Sequence, residues 1–179
     1  LAFNAGTFNI GALTAAPGST VAFSGGTANF SGAYTGATTN VSGGTVNFNG
    51  AYTGETTNVS GGVVNFNPAT HTTAVLNLSG GGIVSNGLLR VSGIQASSWT
   101  GGNLDGTGTV QLDSGVVLDK SGTGGVLGRF LINNGTVRFS GGSFAVAPSS
   151  TLRNNGTFEF AGDYTLSGGG NFLNNGTVT

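Results

Sequence analysis

Gly25–Ser42 reads GGTANFSGAYTGATTNVS and Gly43–Ser60 reads GGTVNFNGAYTGETTNVS, two 18-residue blocks that differ only at Ala28/Val46, Ser31/Asn49 and Ala37/Glu55. A third copy, Gly61–Ser79 (GGVVNFNPATHTTAVLNLS), is one residue longer and drifts in its middle, which places the insertion in a turn. Working outward, Ser/Thr-Gly-Gly recurs from Ser24, Ser42, Ser60, Ser79, Thr100, Thr123, Ser140 and Ser167, and Asn-Asn-Gly-Thr recurs from Asn133, Asn154 and Asn174. A unit of about 20 residues cannot bury its own apolar side, so the repeats must stack into a solenoid.

Within each unit apolar residues alternate with polar ones, as Val46 and Phe48 do against Thr45, Asn47 and Asn49. A period of two is that of a strand, and Gly-Gly and Asn-Gly between the short runs supply corners through positive φ. No stretch offers ten residues of helical periodicity without glycine. The expected fold is therefore all-β, a parallel β-helix of about nine coils that makes a rod of roughly 40 Å. Each repeated position becomes a column: Ala28/Val46/Val64, Phe30/Phe48/Phe66 and Val41/Val59/Leu78. In the second half the same reading aligns Val110 with Val137, Phe158 and Val178, and Leu112 with Phe139 and Phe160, while Leu131, Leu152 and Phe172 form a further set. It makes the interior apolar throughout, with Trp99 as a core filler. It also pairs Arg138 with Glu159 on adjacent coils, with Gln111 and Thr179 as more distant mates. Residues 1–79 form the regular stretch and 80–179 the less regular stretch of one segment, expected to be cut from a longer repeat protein.

Composition narrows the function. Of 179 residues 36 are glycine, only 3 are proline and 6% are charged, which excludes collagen-like and proline-rich chains. A net charge of -1 argues against nucleic acid and anionic lipid as partners, because both require clustered Lys and Arg. No apolar run is long enough to insert in a bilayer as a helix. Cysteine is absent, which removes disulfides, thiolate metal sites and cysteine nucleophiles. No cofactor is implied.

The stretch Trp99-Thr100-Gly101-Gly102-Asn103-Leu104-Asp105-Gly106-Thr107-Gly108-Thr109-Val110, together with the Asn-Asn-Gly-Thr turns, resembles the phrasing of large bacterial exoproteins of the filamentous haemagglutinin and autotransporter-passenger type. The resemblance implies a right-handed parallel β-helix, secretion to the bacterial cell surface and a role in adhesion. No catalytic motif comes with it. Its partners would be neighbouring repeats of the parent chain, further copies stacked head to tail, and a surface glycan or host receptor.

Several residues invite chemical readings. Tyr34 and Tyr52 are repeat mates in Gly-Ala-Tyr-Thr-Gly and offer either an external aromatic platform for sugar or two rings filling a core corner. Outward Thr27 and Thr45 beside Asn29 and Asn47 form columns that suit a surface-binding face, and a second set runs through Thr20, Thr38 and Thr56 beside Asn40, Asn58 and Asn77. Such Thr arrays also admit an ice-binding solenoid, although Val63 and Val75 end them. Asp105, Asp113 and Asp119, with Arg90, Lys120 and Arg129 nearby, admit an acidic cleft of a polysaccharide-active enzyme. The favoured reading is non-catalytic: Asp105 and Asp113 in turns, Asp119-Lys120 at a solvated corner. His71, the only histidine, follows Pro68 and is expected to be exposed; no metal site is expected. The leading functional expectation is a stiff, non-catalytic stalk that holds or contributes to an adhesive surface.

Overall fold

Each 18-residue block closes one coil. Within it Thr45–Phe48 takes one side, and Tyr52–Val59 bends over the second and third sides. β-Branched and aromatic residues at alternate positions suit a pleated, half-buried surface, and the intervening polar residues face out. The computed structural model describes residues 1–67 and 69–179, so Pro68 lies outside the described residues. Among these the protein is all-β, without helix, and its strands pair in parallel from coil to coil. The result is a β-solenoid of about nine turns.

Registers confirm the repeat and locate its drift. Asn47 pairs with Asn65 at a separation of 18 residues, whereas Tyr52 pairs with His71 at 19, so the inserted residue lies between Phe66 and His71. One inward column on the second side runs Leu13, Tyr34, Tyr52, His71, Leu89, Val110, Leu131, Leu152 and Phe172. Another on the third side runs Phe3, Phe23, Val41, Val59, Leu78, Trp99, Lys120, Phe139 and Phe160. The Phe30, Phe48 and Phe66 rings are fully buried and stacked, with centroids 5.2 and 5.5 Å apart. Trp99 is buried too, and its indole N–H donates to the Gly102 carbonyl at 3.2 Å.

Two features of the expected alignment are corrected. Val110 and Leu112 stack on Leu131 and Asn133, not on Val137 and Phe139, whose mates on the preceding coil are Leu118 and Lys120. Gln111 accordingly leaves the Arg138 column, where Asp119 takes its place. Two apolar runs flank each Asn-Asn-Gly-Thr corner with the same alternation, so periodicity alone does not say which run continues which side. The interior is also not apolar throughout: Thr39, Thr57, His71, Thr73, Lys120, Arg129, Asn133 and Asn154 are all buried.

Glycine does two different jobs at the corners. The second glycine of Ser-Gly-Gly takes φ near +70°, as at Gly44 and Gly62, a left-handed conformation that costs glycine nothing. The glycine of Asn-Asn-Gly-Thr does not: at Gly156 a Cβ would collide with the Gly135 carbonyl of the previous coil. Close approach, and not positive φ, is what that turn requires.

Candidate functional site

The two tyrosines that suggested an external platform are inside. Tyr34 and Tyr52 are each 1% exposed, stacked at 5.1 Å, and wedged against Phe48. Each phenol folds back to a threonine on the third side, Tyr34 to Thr39 at 2.8 Å and Tyr52 to Thr57 at 2.6 Å. Burial pushes both phenols up from their ordinary pKa, against the opposing pull of those threonines. Glycine at the inward positions Gly36 and Gly54 makes room for the rings, since a Cβ there would meet the tyrosine oxygen at 2.7 and 2.5 Å. These rings are core, and no sugar reaches them.

The Thr and Asn columns lie outside, exposed at Thr7 and Asn9 and half-buried at Thr27, Thr45, Asn29 and Asn47. Thr7, Thr27 and Thr45 stack in register, and the side-chain amides form a ladder: Asn29 donates to Asn9 at 2.9 Å, Asn47 to Asn29 at 2.7 Å and Asn65 to Asn47 at 2.6 Å. A second ladder joins Asn40, Asn58 and Asn77. The amides of Asn29 and Asn47 are thus spent along the axis, which suits register-keeping as polar stacked columns do.

A third threonine column was not picked out in the sequence. Thr14, Thr35, Thr53 and Thr72 stack on the second side until Arg90 replaces the series. It borders a trough where the long strands bend. Pairing breaks there, between Gly36/Gly54 and Thr38/Thr56, leaving Ala37 and Glu55 outside the ladder. One hollow of about 320 Å³ is lined by Thr35, Thr53, Thr72, Ala37, Glu55 and Ala74, among others. A neighbouring hollow of about 330 Å³ shares Glu55 and Ala74 and continues past Thr56 and Val75 to Ile94. Neither has a lysine or arginine in its lining, and Glu55 forms no hydrogen bond or ion pair among the described residues. A sequence signal for this trough did exist: Glu55 is one of only three differences between otherwise identical blocks.

The aspartates do not converge. Asp113 accepts from Arg90 at 2.6 Å and from Gln111 at 3.0 Å, Asp119 accepts from Arg138 at 3.5 Å, and Asp105 lies in another strand run against Gly128. Arg138 also pairs with Glu159 at 3.0 Å, as expected, and that bond holds its guanidinium above the ordinary pKa. Among the described residues no group of three His, Asp or Glu side chains is placed to hold a metal ion.

The expected places of Lys120 and His71 are corrected, and Arg129 lies inside with them. Lys120 is not at a solvated corner: it is fully buried between the Trp99 and Phe139 levels, and Nζ donates to the Ser121 and Gly124 carbonyls at 2.9 and 3.0 Å. Its ammonium lies 5.6 Å from the Trp99 ring and 5.8 Å from that of Phe144, and burial lowers its pKa. Arg129 is 3% exposed, with one bond of 3.3 Å to the Asp105 carbonyl and no partner for Nε or Nη2; burial pulls its pKa down to about 10. His71 is buried, not exposed, because alternation carries it into the Tyr52 column. Its Nε2–H donates to the Asn67 carbonyl at 2.7 Å, its Nδ1 has no partner, and burial lowers its pKa.

No protein-family model, no curated protein and no solved structure matches the chain.

Proposed function

We propose that the chain is a stiff, non-catalytic stalk segment of a secreted bacterial surface protein, holding or contributing to an adhesive surface. The observation that carries this reading is the parallel pairing of each coil with the next, which stacks the inward residues into columns running along the solenoid. The separate placement of Asp105, Asp113 and Asp119, with Asp113 and Asp119 each paired to a different arginine, favours it over a polysaccharide-cleaving site. Export and surface placement rest on the resemblance carried by Trp99–Val110 and the Asn-Asn-Gly-Thr turns.

Single-molecule stretching between the two ends tests the mechanical half. A stalk holds its length under load and then yields in steps of one coil, each releasing about 65 Å of chain for some 20 residues. Smooth extension from the lowest force, without steps, would reject it. Self-association belongs to the same proposal. It is favoured by the low charge of the chain, 6% of its residues, which leaves little repulsion to hold copies apart. Sedimentation velocity should show end-to-end species growing with concentration, and a strict monomer throughout would remove self-association from the proposal.

A further inference from the structure

We infer that the trough beside Thr35, Thr53 and Thr72 is a binding groove for a linear glycan of amino sugars, with the Glu55 carboxylate pairing with a sugar ammonium. The inference rests on the adhesive half of the preceding proposal and leaves the stalk half untouched.

Charge comes first. Glu55 is exposed, has alanine at the equivalent position of the coils on either side (Ala37 and Ala74), and has no cation in the lining of either hollow. An unpaired carboxylate in such a trough repels acidic polymers and favours a cationic or neutral guest.

Spacing comes second. The threonines recur once per coil, about every 4.8 Å along the axis, and a β-1,4-linked pyranose chain advances by about one ring over that distance, with alternate rings turned over. An extended peptide advances about 3.3 Å per residue and falls out of step with the coils at once. The interior Thr39, Thr57 and Thr73 hydroxyls are all engaged, whereas Thr35, Thr53 and Thr72 make no side-chain bond among the described residues and remain free for a hydroxylated guest.

Shape comes third. Ala37 and Ala74 carry only methyl groups beside Glu55, so the floor of the trough stays low enough for a sugar ring to lie on it. Ile94, 89% exposed, gives the far end an apolar contact for a ring face.

Binding of the glucosamine hexamer, measured by calorimetry against the N-acetylglucosamine and galacturonate hexamers, tests this directly. The free-amine hexamer should bind best, and its affinity should fall with salt. Glu55→Gln and Glu55→Ala should each weaken it about tenfold, the loss of one charge-assisted bond. Glu55→Ala also restores the residue found at 37 and 74, so an unchanged thermal midpoint shows the coil intact. Equal binding of all three hexamers, binding insensitive to Glu55, or no binding by the folded wild-type chain would each overturn the inference. None of these results bears on the stepwise stretching expected of a stalk.

Discussion

Residues 1–79 and residues 80–179 build the same coil with different bends. In the N-terminal region the continuous strands Tyr34–Val41, Tyr52–Val59 and Thr70–Leu78 join the second and third sides. In the C-terminal region Asn103–Leu112 and Val126–Asn133 join the first and second sides instead. The N-terminal bend folds the chain inward, opens the trough on the outside and is filled inside by tyrosine and threonine. The C-terminal bend sets the three residues Gly106-Thr107-Gly108 opposite the single Arg129, whose guanidinium fills the inside. The lesson is that a solenoid fixes its columns by pairing while leaving the corners free to diverge. The two styles meet at Trp99, beside a small void of about 10 Å³ bordered by Leu78, Leu104 and Val110.

Identical rings in register make the N-terminal region the more sensitive to truncation. Phe48→Ala removes a ring that is 1% exposed and stacked on Phe30 and Phe66, and should cost about 3–5 kcal/mol. Urea unfolding checks it. An unchanged midpoint would mean that the stacked aromatics do not distinguish this region from the other.

At the C-terminal bend the sign should reverse. Arg129→Met keeps roughly the length of the side chain, removes a buried charge with two unpartnered nitrogens, and sits among Leu127 and Leu131 on the same inward face. The expected outcome is a gain of about 1–4 kcal/mol in the same unfolding experiment. A loss would show that the guanidinium satisfies needs of that corner beyond its bond to Asp105.

The asparagine ladders sharpen the comparison at a smaller scale. In the N-terminal region they run outside: Asn47 is half-buried and shares bonds only with Asn29 and Asn65. The C-terminal region holds a ladder inside, where buried Asn154 accepts from Asn133 and donates to the Asn174 oxygen and the Thr177 carbonyl at 2.7 and 2.9 Å. Asn154→Ala strands those partners away from water and should cost about 1–3 kcal/mol, whereas Asn47→Ala should cost less than about 1 kcal/mol. Equal costs would erase the distinction between inner and outer ladders.

The N-terminal columns were legible because near-identical blocks align themselves, so that Phe30, Phe48 and Phe66 needed only the period of two. The C-terminal region was legible as strand but not as register, since Asn-Asn-Gly-Thr separates two runs of the same alternation. What stayed hidden was set by the corners. Lys120 belongs to the Leu78/Trp99/Phe139 column, yet its charge reads as surface until the Ser121–Gly125 turn is seen to supply carbonyls. Tyr34 and Tyr52 carry both a polar tip and an apolar body, and only the inward Gly36 and Gly54 reveal which way they lie. The trough needed the register break beside Ala37 and Glu55, which no pattern of apolar residues records.

The smallest expected effect concerns acid. Among the described residues His71 is the one histidine, and it sits in an inward column of the regular N-terminal region. It is buried against Phe66, with centroids 4.9 Å apart, between the Tyr52 and Leu89 levels, and the Tyr52 phenol stays neutral throughout the range. Its folded pKa lies below the unfolded value of about 6.5, because burial opposes the charged ring more than the Asn67 carbonyl favours it. Above the unfolded value both states are neutral and stability is complete. As pH falls from there through the folded pKa, the unfolded chain takes up a proton that the fold resists, and stability declines. His71→Leu, matching Leu89 on the next coil, should flatten the thermal midpoint across that window while leaving it alone at pH 8. A wild-type midpoint that rises on acidification would place the proton on a stabilised imidazolium and overturn the assignment of Nδ1 as an unpartnered, neutral nitrogen.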